Sequence, residues 1–598
     1  MRYGVAILFT GLLVACVTAR AADTTRKGKK QQNSTTASVN TRINELQQAV
    51  QSQQLQIQAQ QQQIQQLMQQ LQTRDSQVQQ VQQQANEAER KSADASAALS
   101  QQQTEVSAVR NDVSDLKANQ SNMALSLQET QKAAAEPPTT IHFRGITITP
   151  GGFLAAEFVR RSRALGADIN TPFNSLTLPG ASGSRLSEFF GSGRQSRISM
   201  LTEGRLNTAK LSGYLEADFL SAGVTSNNNQ SNSYTLRQRQ VWAQAALDNG
   251  WSFTGGQMWS LVTETRHGVD NRTEALPLTI DPQYNVGFSW ARQFGFRVAK
   301  NFGNTMWLAL SAENPQTTLA AVHGNSANFL LGSAGNLGGL YNSLANYSFN
   351  QSPDVIGKIV FEPGFGHYEL FGIFSRFRNR VFPCAEASAS FPCGGSSVPS
   401  TFGAYNSSRT GGGAGANARW SFVNKHLHFG LHALGGSGIG RYGSGGLPDT
   451  TVRANGTLGL LKSYQGLGTL EWHGPKLDIY LNGGAEYASR NWQIDPISGK
   501  PVGYGSPLFS NTTCATEPLP GAGGFSPGTF ISGACIGDTR VLIEGTAGFW
   551  FRFYNGPKGR LQWGPQFSYV TRNTWQGIGG TPHAVDGMVF TSFRYYLP

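Results

Sequence analysis

The chain has 598 residues and a formal net charge of +12, with 39% hydrophobic, 10% aromatic and only 14% charged residues, and 70 glycines. This composition excludes an ordinary soluble enzyme with one core and points to many short strands and turns. After the first 20 residues no apolar run approaches the roughly 20 residues of a membrane-spanning helix, so any insertion into a membrane must be as a barrel.

The N-terminus reads as an export signal. Arg2 supplies the positive end, an apolar run follows over 5–17, and Ala19-Arg20-Ala21 is a small-x-small cleavage site. Residues 1–21 are thus expected to be removed, although Leu13-Val14-Ala15-Cys16 also fits the site where lipoproteins are cut and acylated. Segment 22–40 is polar, with Arg26, Lys27, Lys29 and Lys30 clustered. It reads as a disordered basic tail, with contact to the cell wall (peptidoglycan) as the alternative.

From 41 to 131 the chain is rich in Gln, Ala and Ser and has no Gly, Pro, Phe, Tyr or Trp. With Ile43 as position a, the same register runs through Val50, Ile57, Ile64, Leu71, Val78, Ala85, Ser92, Leu99, Val106, Val113, Gln120 and Leu127. A disordered tract would not hold that register, so 41–135 is expected to be a long α-helical coiled coil. At 1.5 Å per residue it would reach roughly 130 Å. Pro137-Pro138 ends it.

Beyond 141 the informative feature is the alternation of connection lengths. Short turns occur at Asn207-Thr208, Asp248-Asn249-Gly250, 300–303, Pro363-Gly364, Asn424-Lys425, Gly474-Pro475 and 555–558, with long polar connections between them. Seven short turns and eight long loops require 16 antiparallel strands, the even-numbered pattern of an outer-membrane barrel over 141–598 with its short turns in the periplasm. In Leu477, Ile479, Leu481 and Tyr487 one parity is apolar, while Asp478, Asn482 and Glu486 take the other. Lipid outside and water inside is the reading of that pattern, the reverse of a soluble barrel.

If Cys16 leaves with the signal, Cys384, Cys393, Cys514 and Cys535 remain. Nearest-neighbour pairing joins Cys384 to Cys393 and Cys514 to Cys535, both inside outer loops, as suits an exported chain.

The barrel region holds 27 Arg and 8 Lys against 25 acidic residues, a net of +10. Guanidinium pairs in bidentate fashion with carboxylate or phosphate, so a preference for Arg over Lys has chemical content. Strand parity places Arg197, Arg205, Arg297, Arg376, Arg378, Arg552 and Arg594 on the inner wall, opposed by Glu203, Glu216, Asp218 and Glu544, and Arg237 with Arg239 on the lumen face of their strand. Fixed positive charge in a narrow aqueous channel concentrates anions. The alternative is that these arginines only brace the wall. Connection 261–285 carries Glu264, Arg266, His267, Asp270, Arg272, Glu274 and Asp281 and is a candidate constriction, with Arg266, Asp270 and Arg272 the charges of interest.

The string GIGRYG at 438–443 imitates a dinucleotide fingerprint but follows an antiparallel strand, and His426, His428 and His432 share a face with no acidic partner nearby. Neither cofactor nor metal is therefore expected. With no HExxH, no CxxC and no locatable serine or aspartate site, neither is catalysis. Nucleic acid is not an expected partner.

Gly152-Phe153-Leu154-Ala155-Ala156-Glu157-Phe158, Leu236-Arg237-Gln238-Arg239-Gln240 and Gly256-Gln257-Met258-Trp259-Ser260, together with the N-terminal coil, give a sequence that resembles the DcaP-like porin family. The resemblance implies a homotrimer of 16-stranded barrels in the outer membrane, a coil in the periplasm, and passage of small anionic solutes such as dicarboxylates. The long outer loops and their cysteines depart from the family pattern. The competing readings are a structural tether or adhesin and a barrel enzyme.

Overall fold

The computed structural model describes residues 140–222, 234–315, 317–320, 329–330, 349–385, 398–519 and 535–598. The export signal, basic tail and coiled coil, as well as Cys393, lie outside the described residues.

Of the 19 strands in the main sheet, three are short flanking pieces, Ile141–Phe143, Glu188–Ser192 and Phe329–Leu330, and sixteen form the wall. In chain order these are β1 (Ile146–Arg161), β2 (Arg197–Leu206), β3 (Ala209–Ala222), β4 (Tyr234–Leu247), β5 (Trp251–Trp259), β6 (Arg292–Phe302), β7 (Met306–Glu313) and β8 (Asp354–Phe361). The second half comprises β9 (His367–Val381), β10 (Tyr405–Phe422), β11 (Leu427–Ser437), β12 (Lys462–His473), β13 (Leu477–Ala488), β14 (Thr539–Gly556), β15 (Gly559–Thr574) and β16 (His583–Tyr596). Each pairs antiparallel with its sequence neighbours, and β16 closes on β1 from Phe153↔Tyr596 to Arg161↔Met588. No wall strand is left with an unpaired edge, which is what lets a sheet stand in lipid.

Parity decides the two faces. Along β13, Leu477, Ile479 and Leu481 are exposed on the outside while Asp478, Tyr480, Asn482 and Glu486 are buried inside. The short turns sit at one end and use residues that tolerate a left-handed backbone: Gly303 and Asn304 have φ of 63° and 57°, the two positive angles of a type I′ hairpin turn. Aromatic rings gather at that same end, among them Tyr368 against Trp420 (5.9 Å), Trp251 against Phe253 (6.4 Å) and Phe551 against Phe553 (5.2 Å), consistent with an interfacial girdle. At the loop end Cys514 is bonded to Cys535, and Cys384 is also disulfide-bonded.

Two arginines do not sit where parity reasoning put them. Arg376 and Arg378 lie on the outer face of β9 and are exposed. Glu369, Phe371 and Ile373 point inward, Leu370 and Phe374 outward, and the register with β10 runs unbroken from His367↔Arg419 to Val381↔Tyr405. Without a bulge to switch faces, the outward parity of Phe374 carries through to both arginines. The assumption that a charge in a wall strand must face the lumen fails near the loop end, where the outer surface has left the hydrocarbon.

An arginine at Leu481, 52% exposed on the lipid face, is expected to lower folding stability in lipid vesicles by about 2–4 kcal/mol, measured by urea titration. Leu481→Phe should change it little.

Candidate functional site: the barrel lumen

A loop inside a barrel has main-chain N–H groups that neither sheet nor bulk water can satisfy, so the wall must provide acceptors. Connection 260–291 between β5 and β6 meets this requirement with wall carboxylates. Glu313 of β7 accepts from Leu261 N (2.8 Å), Glu369 of β9 from Thr265 N (2.9 Å) and Glu471 of β12 from Leu278 N (2.9 Å). Glu486 of β13 accepts from Gly287 N (2.8 Å) and Glu544 of β14 from Val286 N (2.7 Å). Glu362, in the turn after β8, accepts from Gly268 N (2.6 Å), and the amide oxygen of Gln566 on β15 from Ile280 N (2.6 Å).

Cations bind the loop's other groups: Lys358 donates to the Thr263 carbonyl (2.8 Å) and Arg297 to the Asn271 amide oxygen (3.0 Å). The loop's Glu264 pairs with Arg419 of β10 (2.8 Å). Arg297 is therefore buried beneath the loop and does not line a water path.

A second connection, 438–461, also folds inward, which the sequence reading missed. Its Arg441 is bound by Asp354 and by Asp449 (3.1 Å), while the Tyr442 hydroxyl donates to Asp354 (2.7 Å). It docks on the first loop through Trp290 N to the Tyr442 carbonyl (2.9 Å) and Ser444 N to that of Phe288 (3.0 Å). The glycines of the string at 438–443 are packing residues: a Cβ at Gly443 would stand 2.2 Å from Glu486 Oε2.

Both loops press against the β7–β16 side, and the β2–β4 side keeps its inner side chains partly open. Lys210 and Glu203 pair at 2.6 Å with 51% and 32% of their side chains exposed, Arg237 is 33% exposed and Arg197 17%. A bulge opposite Arg239, where Glu216↔Gln240 is followed by Ala217↔Gln238, switches the inward parity of β4 from Gln244, Trp242 and Gln240 to Arg239 and Arg237. One strand thereby aims both arginines at β3. Arg239 bridges Glu216 (2.6 Å) and Asp218 (2.7 Å), Arg237 binds Asp218 (2.9 Å) and Arg197 lies 3.5 Å from Glu216.

Arg272, on the loop, covers the Tyr214 ring at 5.0 Å, while Arg266 and Asp270 are exposed at its tip. Arg292, not singled out from the sequence, stacks on Trp259 (4.7 Å) and Trp290 (5.0 Å), and one of its guanidinium nitrogens is buried without a hydrogen-bond partner. The charges of Arg239, Arg237 and Arg197 act on it. Five arginines thus gather around Glu216 and Asp218, with Glu274 of the loop, which accepts from Arg272 N (3.3 Å), the third carboxyl nearby. Arg205, paired with Asp248 (2.8 Å), and Arg552, held by Asp478 and by the Gly474 carbonyl (2.7 Å), sit at the turn-end mouth. Arg594 is buried against Glu157 (2.8 Å).

A closed sixteen-stranded barrel with an apolar exterior, a polar interior and its third long connection folded inside has the architecture of the outer-membrane porins. No protein-family model matches the chain, and no curated protein matches it in sequence. Among solved structures it is similar to the outer membrane channel DcaP of Acinetobacter baumannii, with a TM-score of 0.50 and 14% identity over 77% of this chain and 100% of that one. An anion-selective porin from Comamonas acidovorans matches with a TM-score of 0.38 and 10% identity, covering 76% and 100%, and Pseudomonas putida OprB with 0.37 and 10%, covering 75% and 94%. At 14% identity the likeness to DcaP is one of fold.

Gly287 has φ +87°, and a Cβ there would lie 2.0 Å from the Gly466 carbonyl oxygen. Gly287→Ala should displace the loop from Glu486 and Glu544 and raise amide hydrogen exchange over 278–287, with barrel strands unaffected. Asp281, on the same loop, accepts from Thr171 N and Gln283 N, and burial pushes its carboxyl from 3.8 up to about 6. A raised carboxyl favours the protonated folded form, so its contribution to loop docking is greatest below pH 4 and declines as pH rises to about 6. Asp281→Asn should reduce that pH dependence of exchange protection.

Proposed function

We propose that the protein is an outer-membrane porin that lets small anionic solutes, dicarboxylates among them, diffuse passively through its lumen. The carrying observation is the excess of arginine on the open side: Arg197, Arg237, Arg239, Arg272 and Arg292 against Glu216, Asp218 and Glu274. Planar guanidinium groups on a narrow wet path suit carboxylates, which they bind in bidentate fashion and release to the next site. Arg239, saturated by two carboxylates, braces the wall; Arg197, Arg237, Arg272 and Arg292 are the groups left to meet a solute.

The same reading places the short turns and the coil over 41–135 in the periplasm after loss of residues 1–21, with the barrel in outer-membrane lipid. The heptad register supports homo-oligomerisation, and a trimer is the state we infer. The basic segment 22–40 is complementary to acidic cell-wall polymer, and peptidoglycan is its candidate partner.

In planar bilayers under a salt gradient, the wild type should conduct and its reversal potential should report anion preference. Replacing Arg197, Arg237 and Arg292 together by Gln should lower the anion-to-cation permeability ratio by roughly 5-fold or more. Gln at Arg376 and Arg378, outside the barrel, should leave the ratio unchanged. A folded wild-type barrel without conductance would overturn the porin reading, and cation preference would overturn the anion assignment.

A further inference from the structure

Two of the carboxylates that hold connection 260–291 are themselves held by the same device. Glu369 at the start of β9 and Glu471 at the end of β12 each have a histidine two residues away, His367 and His473. That spacing puts both side chains of a pair on one side of the strand, here the inner one. His367 places Nε2 2.9 Å from Glu369 Oε1 and Nδ1 3.0 Å from Glu362 Oε1. His473 places Nε2 3.2 Å from Glu471 Oε2 and Nδ1 3.1 Å from Asp478 Oδ1. Glu362 lies in the turn after β8 and Asp478 follows the Gly474-Pro475 turn, so both bridges stand at the turn end of the lumen.

A carboxylate oxygen only accepts, and a neutral imidazole donates from one nitrogen. A ring with a carboxylate oxygen against each nitrogen therefore needs two protons in its two contacts. Among the described residues His367 and His473 alone have this arrangement. His267 meets Glu362 Oε2 through Nδ1 at 3.0 Å, but its Nε2 is 4.0 Å from Asp270, so one proton satisfies it. His426 donates from Nδ1 to the His473 carbonyl (2.6 Å), His428 meets the Ser421 hydroxyl (2.9 Å), and His432 contacts Asn417, Ser289 and Gln465.

The bridges act on the loop through shared acceptors. Glu369 Oε1, which meets His367, also accepts from Thr265 N (2.9 Å), and Glu362 Oε1 accepts from Gly268 N (2.6 Å). Glu471 accepts from Leu278 N (2.9 Å) through its other oxygen. A ring that loses a proton turns a nitrogen lone pair on a carboxylate oxygen, and the resulting repulsion falls on the group that holds the loop. Lys358 of β8 lies 2.7 Å from Glu369 Oε2, and Glu264 and Asp270 of the loop add negative charge near His367 and Glu362. Around His473 stand Arg552 of β14 on Asp478, Arg419 of β10 and Arg266 of the loop near Glu471, and the His428 ring of β11 edge-on at 5.0 Å. The arginines keep their charge throughout the range in which a histidine titrates.

We propose that the two histidine bridges form a proton-controlled latch that keeps connection 260–291 against the wall and the lumen open. The inference rests on the porin reading above. Docking holds a proton at each bridge that a released histidine gives up near the ordinary imidazole value of about 6.5. The latch is therefore complete below about pH 6 and weakens as pH rises. His473 is 30% exposed, so protons reach it from water at the turn-end mouth. With the wall behind it, a released loop moves into the open β2–β4 side, so weakening the latch closes the path. Asp281 contributes in a different window, below about pH 6, which separates the two effects.

The test follows amide hydrogen exchange of the full chain in lipid vesicles from about pH 6 to about pH 10, corrected for the intrinsic rate. Wild-type amides over 265–278 should lose protection by roughly 10-fold or more, with the barrel strands unchanged. His367→Gln combined with His473→Gln should abolish that pH dependence, and His267→Gln should leave it in place. Asp478→Asn tests the proton count. With its oxygen on Arg552, its amide nitrogen donates to Nδ1 of a neutral His473, so protection at Leu278 should persist at alkaline pH. Wild-type protection that does not change with pH overturns the latch, and this decides the matter even if the variants do not fold. The same pH dependence in a folded double-histidine variant also overturns it, by assigning the transition to Lys358 or another group. In planar bilayers wild-type closures should become more frequent at alkaline pH, and a steady current there overturns the closing role. The exchange transition in a barrel that conducts at no pH would uphold the latch and sink the porin reading, which keeps the two failures apart.

Discussion

The interior of this barrel is organised by one requirement: irregular backbone placed inside a closed sheet must find an acceptor for each buried N–H. Glu313, Glu369, Glu471, Glu486 and Glu544, on five different strands, meet it by turning a carboxylate toward connection 260–291. Charged acceptors make stronger hydrogen bonds than carbonyls, and spreading them over a wide arc fixes the loop along a line. These carboxyl groups are thereby committed to structure, and the open wall opposite presents Arg197, Arg237 and Arg292.

The second inward connection depends on the first. Glu486 serves both, accepting from Gly287 N and Gly445 N (2.9 Å), so the two loops share one acceptor. The approach is close enough that Gly443 and Gly287 leave no room for a side chain. Arg441 and Lys358, each buried with carboxylates, complete an ionic interior in which breaking a pair would cost far more than the pair contributes. The loops consequently occupy the lumen as one packed body.

The outer wall obeys a different rule. A residue on the lipid-facing parity is apolar only as far as the hydrocarbon extends, and β9 passes from Leu370 and Phe374 to Arg376, Arg378 and Arg380 without changing face. Depth, and not the side of the sheet, sets the polarity of that row.

Local pattern by itself determined the strand number, the turn positions and the two faces, because period-two alternation and turn chemistry are written into neighbouring residues. Arg197, Glu216 and Asp218 lie on the inner face that local parity gives them, whereas Arg237 and Arg239 reach it only through the bulge against β3. The pairing of Cys514 with Cys535 also followed from sequence spacing. The heptads of 41–135 are equally plain in the sequence, though that segment lies outside the described residues. Only the tertiary structure decided which wall the loops cover, since Glu471 meets Leu278 and Glu544 meets Val286 across 193 and 258 residues. It also decided that connection 438–461 turns inward, that Arg292 stands in the arginine cluster, and that Arg376 and Arg378 face away from it. Periodicity records the side of a strand on which a residue lies; what stands opposite it, and how far along the membrane it sits, are properties of the closed barrel.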